Sequence, residues 1–142
     1  MESLTTARTP ARKRTSGIAA IEMALLLPLL LTLVFGMIEY GSLFWRGQQV
    51  ANAARNGARR GVMAGATSTD VATAVDQTML ASGMGATSYT ITQTPANPGS
   101  LAAGGAFTVQ VTVPYADIKL TGFPVPTPTQ VIRSVTMAKE GP

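Results

Sequence analysis

The stretch from Ile18 to Phe44 reads IAAIEMALLLPLLLTLVFGMIEYGSLF and is the longest apolar stretch in the chain. A helix needs about 20 predominantly apolar residues to cross the hydrocarbon core of a bilayer. The part from Ile18 to Ile38 supplies that length with Glu22 as its one charged residue. The stretch therefore predicts a membrane-spanning helix, which we place over residues 18–45.

The residues on either side of this stretch predict its orientation. Basic side chains precede it and aromatic side chains gather at its far end: Arg8, Arg12, Lys13 and Arg14, then Phe35, Tyr40, Phe44 and Trp45. Basic residues favour the cytoplasmic side, and aromatic rings favour the headgroup layer. We therefore expect residues 1–17 to form a basic cytoplasmic leader and the chain after the helix to be exported. Glu39 is expected at the outer interface, where a charge costs little.

Glu22 is the anomaly of the apolar stretch, because an ionised carboxylate at mid-membrane costs roughly 2.5–3.5 kcal/mol on insertion scales. If the peptide bond after Gly17 were cut, Glu22 would be the fifth residue of the new chain. Its carboxylate would then lie about one helical turn from the new amine on Ile18. We expect that amine to neutralise the acid, within one helix or between two neighbouring helices.

A basic leader, a glycine, a fifth-position glutamate and an apolar helix together resemble the class III signal of type IV pilins and pseudopilins. Further matches are Pro28, Gly36, Glu39, Gly41 and the run AARNGAR from Ala53 to Arg59. From about Gly17 to Arg60 the chain is similar to the TadE-like family, minor pseudopilins of the tight-adherence (Tad/Flp) pilus. It departs from the family at Met23, where an aromatic residue is usual.

The resemblance implies a structural subunit for pilus assembly, without catalysis or a cofactor. A prepilin peptidase would cut between Gly17 and Ile18, and Glu22 would provide charge pairing during assembly. The implied partners are that peptidase, other pilins and pseudopilins, the assembly platform and the membrane. The implied location is the bacterial inner membrane, with a cytoplasmic N-terminus and an exported head. The alternative is an uncleaved signal-anchored protein whose head binds a ligand or an envelope component.

Composition argues against several other classes of function. The 142 residues contain neither histidine nor cysteine, which excludes the usual Ser-His-Asp site, thiolate nucleophiles and His- or Cys-ligated metals. Four of the eleven basic residues and one of the seven acidic residues precede Ile18, so the rest of the chain has a net charge of +1. Nucleic-acid binding favours basic residues clustered on a folded surface. We therefore expect no catalytic residue, no metal and no nucleic-acid partner.

The exported part begins with an amphipathic continuation of the helix, which we place over residues 46–65. Glycines at Gly57, Gly61 and Gly65 recur every four residues and allow close packing, against a sheet or against a second helix. Arg55, Arg59 and Arg60 lie on the opposite face, as a partner-facing patch or as a solvated face. Within the membrane, Pro28 bends the helix, either to help helices pack in a filament or as a neutral kink.

The remaining residues, 66–142, predict a small head. Thr67 and Asp70 have the spacing of a capping box, followed by an apolar stripe at every fourth residue: Val71, Val75 and Met79. Alternating patterns then predict strands over Ser88 to Thr94 and Ala106 to Val113, and a mixed run from Gln130 to Ala138 predicts a third. The expected fold class is α+β: a long N-terminal helix, one short helix and a three-stranded antiparallel sheet.

Overall fold

The computed structural model describes residues 16–122 and 126–139. The first helix, α1, extends from Ser16 to Gly61 and includes Pro28. The chain divides into two compact units, Met1–Phe35 and Gly36–Pro142. The expected leader lies outside the described residues, except for its last two.

The first unit contains an apolar part of α1. Its side chains are exposed throughout, and Leu25 is 74% exposed. Among the described residues, α1 is the one helix that is long and apolar enough to cross a membrane. Because water would contact every apolar side chain of this segment in a soluble monomer, its surface suits lipid or other helices.

The second unit has a core between α1, a second helix and a sheet. The buried face of α1 follows the predicted amphipathic period and includes Val50, Ala53, Ala54, Gly57, Ala58 and Gly61, and the buried Val62 comes directly after the helix. These small side chains let the other elements approach α1 closely. The helix ends at Gly61, four residues before the predicted limit, and Gly65 follows with a left-handed φ of 72°.

The second helix, α2, extends from Ser68 to Ala81 and begins with the predicted capping box. The Asp70 backbone N–H donates to the Thr67 hydroxyl at 3.2 Å, and the Thr67 backbone N–H donates to the Asp70 carboxylate at 3.0 Å. Each residue therefore satisfies a backbone donor that the helix start leaves free. The apolar stripe of α2, formed by Val71, Val75 and Met79, is fully buried as predicted.

Three antiparallel strands form one sheet in the order β1 (Thr90–Thr94), β2 (Ala106–Pro114) and β3 (Gln130–Ala138). The pairs Ile91–Val111 and Val111–Arg133 fix the register across the sheet. One face of β2 is buried through Phe107, Val109, Val111 and Val113. The α+β fold class is thereby confirmed, with β1 starting two residues later than predicted.

Candidate functional site

The predicted processing site lies at the start of α1. Gly17 is helical, and a Cβ added to it would meet no other atom within 4 Å. Ile18 follows with 71% of its surface exposed. Neither residue therefore contributes packing to the described part of the chain.

Glu22 lies four residues after Ile18, which is about one turn and 6 Å along the helix axis. Its side chain is exposed. It makes no hydrogen bond or ion pair with another residue in 16–122 or 126–139. Within these residues nothing compensates the Glu22 charge.

Pro28 lies inside α1 without ending it. Proline supplies no N–H to the carbonyl one turn before it. One turn later, the Thr32 hydroxyl donates to the Pro28 carbonyl at 2.8 Å. This bond joins a threonine to the carbonyl four residues before it and does not replace the bond that Pro28 cannot make.

Gly57 and Gly61 lie at two close contacts inside the second unit. A Cβ on Gly57 would come within 2.6 Å of Val75 on α2 and 3.4 Å of Val109 on β2. A Cβ on Gly61 would overlap the ring of Phe107. The two glycines thus contact both the second helix and the sheet of their own chain.

The three predicted partner-facing arginines have different surroundings. Arg60 forms an ion pair of 3.2 Å with Asp70, and Arg55 donates to Asn52 at 3.1 Å. The bonds from Thr67, with a smaller contribution from Arg60, hold the pKa of Asp70 below its usual value. Arg59 is exposed and has no ion pair within the described chain. Arg60 therefore links α1 to the start of α2, whereas Arg55 and Arg59 present their charge to solvent.

The structure reveals one polar cluster that the sequence did not predict. Glu39 on α1 is only 1% exposed. Its carboxylate accepts hydrogen bonds from the Leu120 backbone N–H at 3.0 Å, the Thr121 backbone N–H at 2.8 Å and the Thr121 hydroxyl at 2.5 Å. The Tyr115 hydroxyl donates to the same carboxylate. Glu39 is therefore a buried carboxylate that is fully hydrogen-bonded by its own chain, a role that the sequence did not predict.

Through these four hydrogen bonds, Glu39 connects α1 to the turn that follows β2. Burial, together with the hydrogen bond to Glu39, raises the pKa of Tyr115, so this hydroxyl stays protonated as a donor at neutral pH. The sequence contains no local sign of the cluster, because the acid and its donors are separated by about eighty residues. The one available signal was an acid placed directly after an apolar stretch.

An open apolar groove of about 670 Å³ lies beside this cluster, between β3 and the part of α1 from Tyr40 to Phe44. Tyr40, Phe44, Ile132 and Arg133 contribute to its lining. No group of three His, Cys, Asp or Glu side chains within residues 16–122 and 126–139 is close enough to hold a metal ion. The groove offers apolar contact rather than acid–base chemistry.

Comparison with known protein families gives one match. The family described as TadE-like protein matches residues 17–59, beginning at Gly17 and ending shortly before the end of α1. No curated protein and no solved structure matches the chain. The TadE-like match supports a protein associated with pili of the Tad system, and the apolar helix supports a single-pass membrane anchor. Over residues 17–59 the chain therefore matches the TadE-like family, and this match confirms the resemblance seen in the sequence.

Proposed function

We propose that this protein is a minor pseudopilin, a membrane-anchored structural subunit that takes part in assembling a Tad/Flp-type adhesive pilus. The observation that carries the proposal is the TadE-like match, which starts at Gly17. In this proposal a prepilin peptidase removes residues 1–17, and Ile18 becomes the N-terminus. The role is structural and not catalytic.

The surroundings of Gly17 support a processing site. Glycine inside a helix costs roughly 0.5–1 kcal/mol relative to alanine. No close packing contact offsets that cost at Gly17, because an added Cβ would meet nothing within 4 Å. A small residue is therefore not required by the fold at this position. Recognition by a peptidase that needs a small side chain before the cut would explain why position 17 is a glycine.

The isolation of Glu22 supports charge pairing after the cut. Its exposed carboxylate has no partner within the described chain, and the future amine of Ile18 lies one turn away. In a medium of low polarity a carboxylate is stable only when it is paired. The new amine, on the same helix or on that of a neighbouring pilin, would provide the partner. The uncleaved anchor of the alternative hypothesis has no such amine.

The exposed surface of α1 supports assembly with other subunits. The apolar side chains from Ile18 to Phe35 are open to lipid or to other membrane helices, and Pro28 lies among them. In the head, Arg55 and Arg59 keep their charge free for other pilus components, whereas Arg60 bonds Asp70. We place the protein in the inner membrane, with the N-terminus cytoplasmic and the head exported. The assembly platform would take up the processed subunit from there.

Replacement of Glu22 tests this function. Glu22→Gln removes the charge while keeping the size, and Glu22→Asp is the matched control that keeps the charge. We expect Glu22→Gln to reach the membrane at normal abundance but to be lost from sheared pilus fractions and from crosslinks with other pilins. Glu22→Asp should retain most of the crosslinking. Equal incorporation of Glu22→Gln and the unmodified chain would contradict the proposed pairing.

A further inference from the structure

The exposed apolar side chains of the second unit are concentrated at one end. Within the described residues after Phe35, large exposed apolar side chains are found at Met37, Ile38, Tyr40, Phe44, Trp45, Met63, Leu80, Leu120 and Ile132. Five of these lie in the first turns of α1 after Phe35, and Ile132 shares a groove with Tyr40 and Phe44. Met63 and Leu80 are the exceptions, located at the end of α1 and on α2.

Leu120 belongs to the same end of the head although it is distant in sequence. Its backbone N–H lies 3.0 Å from the Glu39 carboxylate, and the neighbouring Thr121 donates twice to the same group. Ile118 is 1% exposed and anchors the other side of the turn in the core. The Leu120 side chain itself is 56% exposed. The fold therefore holds an apolar side chain outward at the level of Glu39.

The position of Glu39 in the chain indicates which layer of the bilayer lies near Leu120. Glu39 directly follows the part from Ile18 to Ile38 that supplies the spanning length, so we place it where the helix leaves the hydrocarbon core. The polar layer of a bilayer adds roughly 5–8 Å on each side of that core. Because the Leu120 backbone N–H lies 3.0 Å from the Glu39 carboxylate, we expect Leu120 close to this layer.

We propose that the turn from Tyr115 to Gly122 is a second membrane contact, in which Leu120 enters the boundary between headgroups and acyl chains. The contact rests on the membrane anchoring in the proposed function and extends it to the head. Exposed apolar side chains with this placement lie in the interface plane of a bilayer. The aromatic side chains of Tyr40, Phe44 and Trp45 suit the same layer. The Glu39 bonds would then hold Leu120 close to that layer.

The charges of the turn indicate which lipids it needs. Asp117 and Lys119 are both exposed, and their opposite charges cancel within the turn. A contact that depended on anionic lipid would instead show an excess of basic residues. The apolar side chain therefore carries the contact, and zwitterionic phosphatidylcholine is sufficient.

The absence of cysteine from the natural chain permits a direct test. Single-cysteine variants of the full chain, Leu120→Cys and Lys119→Cys, are labelled with an environment-sensitive nitrobenzoxadiazole dye and reconstituted into phosphatidylcholine vesicles. Leu80→Cys is the matched control, since Leu80 is a 71% exposed leucine on α2. Ile38→Cys reports insertion of the helix. Quenching by lipids that carry a spin label near the headgroup is measured for each variant.

We expect the dyes at positions 120 and 38 to be quenched about twofold or more above the dye at position 80, because both reach the boundary region and position 80 does not. Position 119 should show quenching with a more polar emission spectrum than position 120. Quenching at position 38 with none above control at positions 120 and 119 would overturn the membrane contact and leave the anchor intact. No quenching at position 38 would contradict the anchor itself, and the contact with it.

Discussion

Replacement of Glu39 by glutamine should destabilise the head strongly, because the carboxylate is buried and accepts four hydrogen bonds. Each oxygen faces one backbone N–H and one hydroxyl: Leu120 N–H and the Tyr115 hydroxyl on one side, and the two Thr121 donors on the other. In glutamine an NH₂ group replaces one of these oxygens. The hydroxyl on that side can rotate and accept, but the backbone N–H cannot.

The magnitude follows from this count. A buried donor left without a partner costs about 1–3 kcal/mol. The hydrogen bonds that remain are weaker, because a bond to an ionised acceptor is roughly twice as strong as a bond to a neutral one. Because glutamine avoids the desolvation cost of the charge, part of the loss is recovered. We expect Glu39→Gln to lower the free energy of unfolding of the head by about 2–4 kcal/mol.

The assay is denaturant unfolding of the full chain in mild detergent micelles, followed by the fluorescence of Trp45, the single tryptophan. Asp117→Asn is the matched control, since Asp117 is exposed and lies in the same turn. An exposed substitution of this kind changes stability by about 0.5 kcal/mol or less. A Glu39→Gln variant as stable as Asp117→Asn would refute the interpretation of Glu39 as a buried anchor of the turn.

Two further predictions concern the packing and the charges of the head. Gly61→Ala should lower the free energy of unfolding by about 1–3 kcal/mol, because the new methyl group would overlap the Phe107 ring. The control Gly41→Ala adds a methyl group where nothing lies within 4 Å, so it should be neutral or stabilising in the same unfolding assay. The pKa of Asp70 is held below its usual value of 3.8, so its stabilising effect is complete above that value and is lost as the pH falls through the lower, folded value. Acid titration of helical circular dichroism should therefore show less loss in this range for Asp70→Asn, and an unchanged acid transition would contradict the role of the capping box.

Local patterns in the sequence were sufficient to predict the elements of the fold. The buried face of α1 repeats at steps of three and four residues, and from Phe107 to Val113 the residues of β2 alternate between buried and half-buried positions. The Thr67–Asp70 capping box was visible in the sequence because its two partners lie three residues apart. These signals depend on neighbours in the chain and not on the tertiary structure. The end of α1 was less predictable, because small residues continue to Gly65 while the backbone turns.

The polar cluster around Glu39 could not be predicted in the same way. Its bonds depend on how the turn after β2 folds back onto α1, and the sequence near Leu120 and Thr121 contains no motif for an acid. The sequence placed Glu39 at the outer interface of the membrane but gave no sign of its partners. For Gly17, Ile18 and Glu22 the situation is reversed, because the sequence predicts their roles but the structure of one chain cannot test them. Their proposed roles depend on a peptidase and on neighbouring subunits, which a single chain does not contain.

The central claim is that the mature protein begins at Ile18. Mass spectrometry of the N-terminal peptide, from protein extracted from the membrane of a producing cell, tests it most directly. A Gly17→Leu variant provides the matched control, because a bulky side chain before the cut should block processing. We predict a free amine on Ile18 in the natural chain and a retained leader in the variant. A natural chain that still carries residues before Ile18 in assembled pili would contradict the claim.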